Sequence, residues 1–195
     1  MKVAIISDIH DNSHNLVLFF KKIEKLNIEK VIFLGDFINN GIAKILAASR
    51  IPVFAIWGNN DGDKVAITKT SMIQDSNLEM GSTVFDFIEI ENRKIFLTHY
   101  ANIAKSMAKS GDFDAVFYGH NHKKNIEVIN DCLLVNSGEI SAHKTNQASF
   151  AIYDSKTNTA ELFELEDSVS VKTDQAKEYI ADLNLKSDKI NSHRY

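Results

Sequence analysis

Short, continuously apolar runs recur in the first third of the chain. Residues 3–6, 31–34 and 53–56 carry aliphatic and aromatic side chains without a polar interruption. Strands that are buried on both faces show this pattern, whereas strands with one solvated face alternate apolar and polar residues. The three runs therefore predict a buried sheet.

Helical periodicity fills the gaps between these runs. After Ser13, a potential N-cap, apolar residues recur at helical spacing as far as Ile23. Residues 41–49 and 64–74 show helical patterns as well. The resulting order β-α-β-α-β implies parallel strands joined by helical crossovers.

Hairpins dominate the pattern after residue 80. Three pairs of strand-like segments are separated by short polar turns: 83–90 with 94–98, 126–129 with 133–135, and 149–153 with 160–165. A helical segment at 101–110 and an apolar run at 115–118 lie between the first two pairs. A parallel half followed by an antiparallel half predicts an α/β fold of two mixed β-sheets packed together, with helices outside.

The length of 195 residues fits one domain with a sizeable core. We place this domain at residues 1–166, because the chain turns polar from about Asp167 onwards. Residues 167–195 are expected to form a polar C-terminal extension, with a helix at 173–183. The sequence leaves open whether this extension mediates a homo-oligomer.

Composition narrows the class of partner. The chain has 44% hydrophobic and 25% charged residues, as globular proteins do, and its formal net charge of −4 argues against a generic nucleic-acid or anionic-membrane binder. No segment has the length of a membrane span or of a signal-peptide core. The lone Cys132 sits in an apolar run, so we expect it to be a small buried side chain. A cytoplasmic location is the resulting expectation.

Potential metal ligands directly follow five of the predicted strands. Ligands of α/β sheets bind beyond the carboxyl ends of the strands, so these side chains are expected to meet at one edge. In two of the loops the potential ligands are two positions apart, and they would face the same side of an extended chain. The full set is Asp8, His10, Asp36, Asn59, His99, His120 and His122.

Seven potential ligands exceed the needs of one tetrahedral zinc ion and suit a pair of divalent metal ions that share a bridging ligand. The mixture of imidazole, carboxylate and amide favours Mn²⁺, Zn²⁺, Ni²⁺ or iron over Ca²⁺ or Mg²⁺, and Mn²⁺ is our first expectation. Gly35, Gly58 and Gly119 each precede a ligand, where glycine permits a sharp turn.

Taken together, the motifs resemble the signature of the calcineurin-like metallophosphoesterases, and most of all the small YfcE-type phosphodiesterases. The motifs are D-x-H at 8–10, G-D at 35–36, G-N-x-D at 58–61, H at 99 and G-H-x-H at 119–122. The resemblance covers about residues 1–165. It implies the metallophosphoesterase fold, a four-layer αββα sandwich.

The same resemblance implies a division of the ligands between two metal ions. The first ion would be bound by Asp8, His10 and His122, the second by Asn59, His99 and His120, and both by Asp36. Hydrolysis of a small phosphodiester by a hydroxide held between the metals is the implied reaction. The residues expected to contact phosphate are Asn12, Asn39, Asn59 and His99.

Two positions depart from the family. Many relatives have a histidine in place of Asn60, and that histidine is thought to assist the leaving group, whereas Asn60 delivers no proton at neutral pH. We therefore expect a preference for aryl or strained cyclic diesters, with Asn60 and Asp61 as candidate catalytic residues. Tyr100 replaces a glycine that relatives usually have, and its ring is expected to narrow the pocket, to offer a hydroxyl or to cover the loop.

Two histidines, His14 and His143, belong to no motif and are expected at the solvated surface. Lys123 and Lys124 flank the last metal loop and either steer an anion or line a solvated hairpin. Other functions stay open: a phosphomonoesterase or a nuclease on the same site, a non-catalytic scaffold with the same fold, and a structural metal domain. A nuclease would need a longer basic groove, and the complete, surplus ligand set disfavours the last two.

Overall fold

A computed structural model describes residues 1–170, which contain eleven strands and four helices. The strands are β1 (Lys2–Ile6), β2 (Lys30–Phe33), β3 (Val53–Ala55), β4 (Leu78–Met80), β5 (Phe85–Ile90), β6 (Arg93–Thr98), β7 (Ala115–Tyr118), β8 (Lys124–Ile129), β9 (Cys132–Ser137), β10 (Ser149–Asp154) and β11 (Thr159–Glu164). The helices are α1 (Ser13–Ile23), α2 (Asn40–Ala47), α3 (Lys64–Ser71) and α4 (Ala101–Ser110).

The first sheet has the strand order β11-β10-β1-β2-β3-β4. Strands β1 to β4 run parallel, and their registers place Ile6 beside Phe33 and Phe33 beside Ala55. The β10–β11 hairpin joins this sheet antiparallel to β1. The carboxyl ends of β1, β2 and β3 therefore lie side by side at one edge.

The second sheet has the order β5-β6-β7-β9-β8, with β6, β7 and β9 parallel and antiparallel strands at both edges. The parallel first part, the three hairpins and the two mixed sheets are confirmed. The prediction of an antiparallel second half is wrong, because β6, β7 and β9 pair in parallel and the last hairpin returns to the first sheet. Turn chemistry predicts which strands pair within a hairpin, but it carries no information on the neighbour across the outer edge of that hairpin.

Three apolar layers pack these elements into a four-layer αββα sandwich. Side chains such as Ile5 of β1 and Phe117 of β7 fill the layer between the sheets. Ile6, which points the other way, packs with residues of α1, α2 and α3. Helix α4 covers the outer face of the second sheet through Ala104 and Ala108. The predicted fold class is confirmed.

Most predicted elements agree with the structure to within a few residues, and three details differ. The N-cap of α1 is Asn12 and not Ser13, because Asn12 Oδ1 accepts the N–H of Asn15 at 3.1 Å. The third helix ends at Ser71, earlier than predicted. Strand β4 was not predicted, since it has three residues and only Leu78 is buried.

Contacts with the domain continue to Val169. Its N–H donates to Asn15 Oδ1 at 3.0 Å, and its carbonyl accepts the side-chain amides of Asn12 at 2.8 Å and Asn15 at 2.9 Å. We therefore propose that the domain extends at least to Val169, beyond the expected end at residue 166. The helix predicted at 173–183 lies outside the described residues. Within residues 1–170, no helix is long and apolar enough to cross a membrane.

Candidate metal centre

Five loops bring the predicted ligands together beyond the carboxyl ends of β1, β2, β3, β6 and β7. Four of these ligands are buried, one is half-buried and two are open to solvent, so the cluster has a buried floor and an accessible mouth. The buried ligands are Asp8, Asp36, His99 and His122; His10 is half-buried; Asn59 and His120 are exposed.

Two carboxylates form the centre of the cluster. Asp36 Oδ2 lies 3.2 Å from His10 Nε2, and Asp36 Oδ1 lies 3.6 Å from His99 Nε2. Asp8 Oδ1 lies 3.6 Å from His10 Nε2 and 3.4 Å from His122 Nε2. Each carboxylate therefore faces two imidazoles, and Asp36 faces one from each predicted ligand group.

The remaining ligands surround His99. Its Nε2 lies 3.0 Å from Asn59 Oδ1 and 3.2 Å from His120 Nδ1. The backbone N–H of His120 donates to Asp8 Oδ2 at 2.9 Å, which ties the last metal loop to the first. All seven predicted ligands thus lie in one cluster.

Hydrogen bonds on the far side of two rings fix which nitrogen faces the cluster. His99 Nδ1 lies 2.7 Å from the carbonyl oxygen of Leu34, and His122 Nδ1 lies 2.6 Å from Glu139 Oε2. Both partners are acceptors, so each Nδ1 carries a proton and Nε2 faces the cluster. A ring in this tautomer directs its Nε2 lone pair at the oxygens of Asp8 and Asp36, an arrangement that a cation stabilises.

Two buried atoms, Asp8 Oδ1 and His10 Nε2, have no hydrogen-bond partner within the described residues. Buried polar atoms are nearly always hydrogen-bonded, and an ion is one explanation for those that are not. The ligand atoms of Asp8, His10 and His122 lie within 4.8 Å of one another, as do those of Asp8, Asp36 and His99. The donor set therefore fits a metal centre.

Left-handed backbone conformations concentrate at the ligands. The φ angle is 54° at Asp8, 45° at His10, 68° at Asp36, 71° at His120 and 62° at His122. The assumption of an extended chain at these positions is therefore wrong, because the loops turn sharply at each ligand. Asp and His tolerate this conformation better than most residues, at a cost of about 1–3 kcal/mol each.

Two glycines allow the loops to approach each other. Gly35 has a φ of 95°, and a Cβ there would overlap the backbone of Gly58. A Cβ on Gly58 would in turn overlap the carboxylate of Asp36. Gly35 matches the predicted turn role, whereas Gly58 is needed for space beside the ligand.

Asp61 holds the loops together and does not line the cluster. Its carboxylate accepts the backbone N–H groups of Asp36, Phe37, Ile38 and Gly58 at 3.3, 2.5, 3.2 and 2.6 Å. Burial raises the pKa of Asp61, although these hydrogen bonds oppose the shift. These contacts favour a positioning role for Asp61 at the loop of Asp36, and its predicted catalytic role stays a prediction.

Glu139, a fully buried residue, was missed by the sequence prediction. Its carboxylate accepts hydrogen bonds from the ring of His122, from three successive backbone N–H groups at 143–145, and from the hydroxyls of Ser141 and Thr145. Burial alone would raise the pKa of Glu139, but these bonds, first of all that from His122, hold it well below its ordinary value. A signal was available, since Gly138-Glu139 follows β9 as Gly35-Asp36 follows β2.

The ligands shift one another's pKa values. Burial works to raise the pKa of Asp8, but His10, His122 and His99 lower it overall. Burial works to lower the pKa of His10, yet Asp8 and Asp36 raise it. The pKa of His120 is lowered, mainly by burial and then by His99, which favours the neutral ring that a metal ion requires.

The asparagines predicted to contact phosphate have other partners. Asn12 is buried, caps α1 and donates its amide to the carbonyls of Ser141 and Val169. Asn39 caps α2 and donates to Asp11 Oδ1 at 2.7 Å. Both donors of the buried Asn12 amide are engaged, whereas Asn39 uses one of its two, and the phosphate-binding role of both residues stays a prediction.

Asn60 contacts the central carboxylate. Its backbone N–H donates to Asp36 Oδ1 and its side-chain amide to Asp36 Oδ2, both at 2.9 Å. Since the side chain is exposed at the mouth of the cluster, it orients Asp36 and also borders the space above it. Its predicted role at the leaving group stays a prediction.

A cleft of about 400 Å³ opens above the cluster. His143, expected at the solvated surface, is half-buried in its wall, and its ring lies 5.4 Å from that of His10, so that expectation is corrected. Tyr100 packs edge-on against His99 and His120, with centroids 5.3 and 5.2 Å apart, and so covers the second group of ligands. The lining residues are His10, Asp36, Asn59, Asn60, His120, His122, His143 and Lys144.

Known proteins share both the sequence pattern and the fold. Residues 1–158 match the calcineurin-like phosphoesterase superfamily domain. The phosphodiesterase MJ0936 of Methanocaldococcus jannaschii is 32% identical over 158 residues, which cover 80% of this chain and 94% of the relative. A solved archaeal phosphodiesterase is 29% identical with a TM-score of 0.77, over 85% of this chain and 100% of its own. The E. coli phosphoesterase YfcE, at 19% identity and a TM-score of 0.60 over the same shares, agrees in fold.

Proposed function

The chain belongs to the calcineurin-like phosphoesterase superfamily and is a phosphoric ester hydrolase, and from this premise we propose that it hydrolyses small phosphodiesters with two divalent metal ions. The observation that carries the proposal is that Nε2 of His10, His99 and His122 lies 3.2–3.6 Å from carboxylate oxygens of Asp8 and Asp36 in one cluster. Two relatives that match over most of both chains at 29–32% identity are phosphodiesterases, which supports the diester as substrate.

The proposed ligands divide between two ions. Asp8, His10 and His122 would hold one ion, and Asn59, His99 and His120 the other, with Asp36 between them. The contacts of Asp36 with His10 and with His99 support this division. Borderline donors of this kind favour Mn²⁺, with Zn²⁺, Ni²⁺ or iron as alternatives.

When bound, such ions act as Lewis acids that activate water and offset the charge of phosphoryl oxygens. The protein orients what surrounds them. Asn60 holds both oxygens of Asp36, Leu34 and Glu139 set the ring nitrogens of His99 and His122, and Asp61 fixes the backbone that carries Asp36. With two carboxylates for two dications, the cluster keeps a positive charge, which suits an anionic ester despite the chain's net charge of −4.

The leaving group sets the proposed substrate range. Asn60 donates hydrogen bonds to Asp36 and cannot supply a proton at neutral pH. Esters whose leaving group departs as a stable anion, such as aryl diesters, should therefore react much faster than alkyl diesters. Equal rates for matched aryl and alkyl diesters would contradict this part of the proposal.

The free, buried Cys132 calls for no oxidising compartment, which supports a cytoplasmic location.

A metal screen tests the function. Purified protein is stripped with a chelator, reloaded with Mn²⁺, Zn²⁺, Ni²⁺ or Fe²⁺, and assayed with bis(p-nitrophenyl) phosphate, p-nitrophenyl phosphate and a cyclic nucleotide, while bound metal is measured by elemental analysis. We expect close to two ions per chain and fastest hydrolysis of the aryl diester. His99→Ala should lose metal and activity, whereas His14→Ala, the same change at an exposed position, should behave as the unaltered protein does.

The outcomes separate the alternatives. Faster hydrolysis of the monoester would favour a phosphomonoesterase. Full metal occupancy without hydrolysis of any ester would favour a scaffold. Trace occupancy with every metal would refute the metal centre itself.

A further inference from the structure

Lys144 brings a cation to the cleft. Among the described residues that line the cleft it is the only lysine or arginine. It forms no salt bridge with a carboxylate in residues 1–170, in contrast to Lys124, which pairs with Glu164. The side chain is exposed, so its positive charge is available to a molecule that enters the cleft.

Glu139 fixes the backbone on which Lys144 stands. Its carboxylate accepts the N–H groups of His143 at 3.0 Å, Lys144 at 2.9 Å and Thr145 at 2.8 Å. The turn begins at Ala142, whose φ is 55°. Three successive N–H groups around one buried anion hold a short loop in a single shape. The same carboxylate holds His122, so the loop and this proposed ligand are positioned by one residue.

The position of the loop places the lysine at the rim of the proposed metal site. His143, its neighbour in the chain, contacts the ring of His10. Lys144 lines the same cleft as the exposed ligand His120 and as Asp36. It is therefore placed to act on an anion that binds in this cleft.

We propose that Lys144 binds a negatively charged oxygen of the phosphate ester and so sets the affinity for anionic substrates. The inference rests on the proposed function for its substrate class. A lysine acts as a point charge with three donors, and it gains more from a doubly charged phosphate than from a singly charged one. Its role is to bind the substrate, so its loss acts on KM far more than on kcat.

The test compares Lys144→Met, Lys144→Arg and a control, Lys109→Met, in the full chain. Lys109→Met makes the same change of charge near the far end of α4, about 12 Å along the helix axis from Ala101, where that helix begins beside the cluster. Each metal-loaded protein is assayed for KM and kcat with bis(p-nitrophenyl) phosphate and p-nitrophenyl phosphate. The dissociation constant of inorganic phosphate is measured by calorimetry, and metal content by elemental analysis.

Lys144→Met should raise KM and the phosphate dissociation constant roughly ten- to a hundredfold, as expected for loss of a charged hydrogen bond. The rise should be larger for the dianionic monoester, kcat should change less than threefold, and Lys144→Arg should recover most of the affinity. Metal content should stay at the level of the unaltered protein, and Lys109→Met should match that protein throughout.

Unchanged phosphate affinity in Lys144→Met, an equal effect of Lys109→Met, or failure of phosphate to bind the unaltered protein would overturn the proposal. Failure of the proposed function looks different. In that case no ester is hydrolysed by the unaltered protein, yet phosphate binding to the metal-loaded chain still depends on Lys144.

Discussion

Replacement of Glu139 by glutamine probes how the fold prepares the metal site. In the folded chain, Oε1 accepts hydrogen bonds from the backbone of Lys144 and from the backbone and hydroxyl of Thr145. Oε2 accepts from the ring of His122, the hydroxyl of Ser141 and the backbone of His143. Glu139→Gln keeps the shape of the side chain but turns one of these acceptors into an NH₂ donor.

The number of backbone donors on each side decides where the new NH₂ group lies. In place of Oε1 it would oppose two backbone N–H groups, whereas in place of Oε2 it opposes only that of His143. We therefore expect it to face His122, whose Nδ1 can switch to an acceptor. The ring then carries its proton on Nε2, which lies 3.4 Å from Asp8 Oδ1, and it loses the lone pair that would bind a metal ion.

Two magnitudes follow from this geometry. One buried N–H group without a partner costs about 1–3 kcal/mol, which lowers the Tm of a chain of this size by roughly 2–12 °C. Removal of a carboxylate that orients a metal-binding histidine weakens metal affinity by about 10- to 100-fold. The metal effect should concern one ion, because His99 is set independently by Leu34.

Two measurements check the reasoning. The Tm is measured on chelator-treated protein, and Mn²⁺ binding is measured by calorimetry on the same preparations, while long-range ¹⁵N–¹H spectra report the tautomer of His122. Glu164→Gln serves as the matched control, because Glu164 is exposed and its ion-pair partner within residues 1–170 is Lys124. If Glu139→Gln bound two Mn²⁺ ions as tightly as the unaltered chain does, the assigned role of Glu139 would be refuted.

Three further predictions concern stability and reactivity. For a metal ion whose free concentration is a hundredfold its dissociation constant, chelation should lower the Tm by roughly 5–10 °C per bound ion, and added Mn²⁺ should restore the Tm. An unchanged Tm would argue against a resident ion. Cys132 is 1% exposed and burial raises its pKa to about 11, so a thiol reagent at pH 8 should modify it only after unfolding in guanidinium; prompt labelling of native protein would contradict this. The pKa of Asp114 is lowered from 3.8 by Lys94 and Arg93 against the effect of burial, so the carboxylate stabilises the fold above about pH 4 and loses this contribution as the pH falls through its pKa in the folded chain. The Tm deficit of Asp114→Asn at pH 7 should therefore vanish in acid. An equal deficit at both pH values would disprove this role of Asp114.

The sequence predicted well that the seven potential ligands would converge, because each of them lies just after an apolar run. Val3 to Ile6 are buried on both faces, and such strands stand out from the surrounding helices. Parallel strands end at a common edge, so Asp8, Asp36 and Asn59 had to be near one another once the strands were placed. The convergence depended on topology and not on the details of any loop.

Two kinds of information were missing from the sequence. The strand order across the outer edge of a hairpin depends on tertiary packing, so the return of β10 to pair with β1 could not be predicted. Hydrogen bonds over long sequence distances were equally hidden. Asn12 looked like a free donor at a helix terminus, but its partners, Ser141 and Val169, lie more than a hundred residues away in the chain.

The backbone of the ligand loops explains why two acids that face no substrate, the half-buried Asp61 and the buried Glu139, belong to the site. Five ligands have left-handed φ angles, each of which costs about 1–3 kcal/mol. Such loops persist only if other contacts hold them. Asp61 accepts hydrogen bonds from the backbone N–H groups of residues 36–38 and of Gly58. Glu139 accepts six hydrogen bonds, one from the ring of His122 and five from residues 141–145.

Hydrogen bonds to a charged acceptor are among the stronger ones in proteins, so we expect Asp61 and Glu139 to hold residues 36–38 and 143–145 in place without a metal ion. It follows that the chelated protein should keep its ligands in place, and that metal binding should need no rearrangement of the loops. Hydrogen exchange of the amides of residues 36–38 and 143–145 measures this directly. If their protection in chelated protein fell to the level of exposed loops and returned only with Mn²⁺, the ion and not the two acids would be what holds the loops.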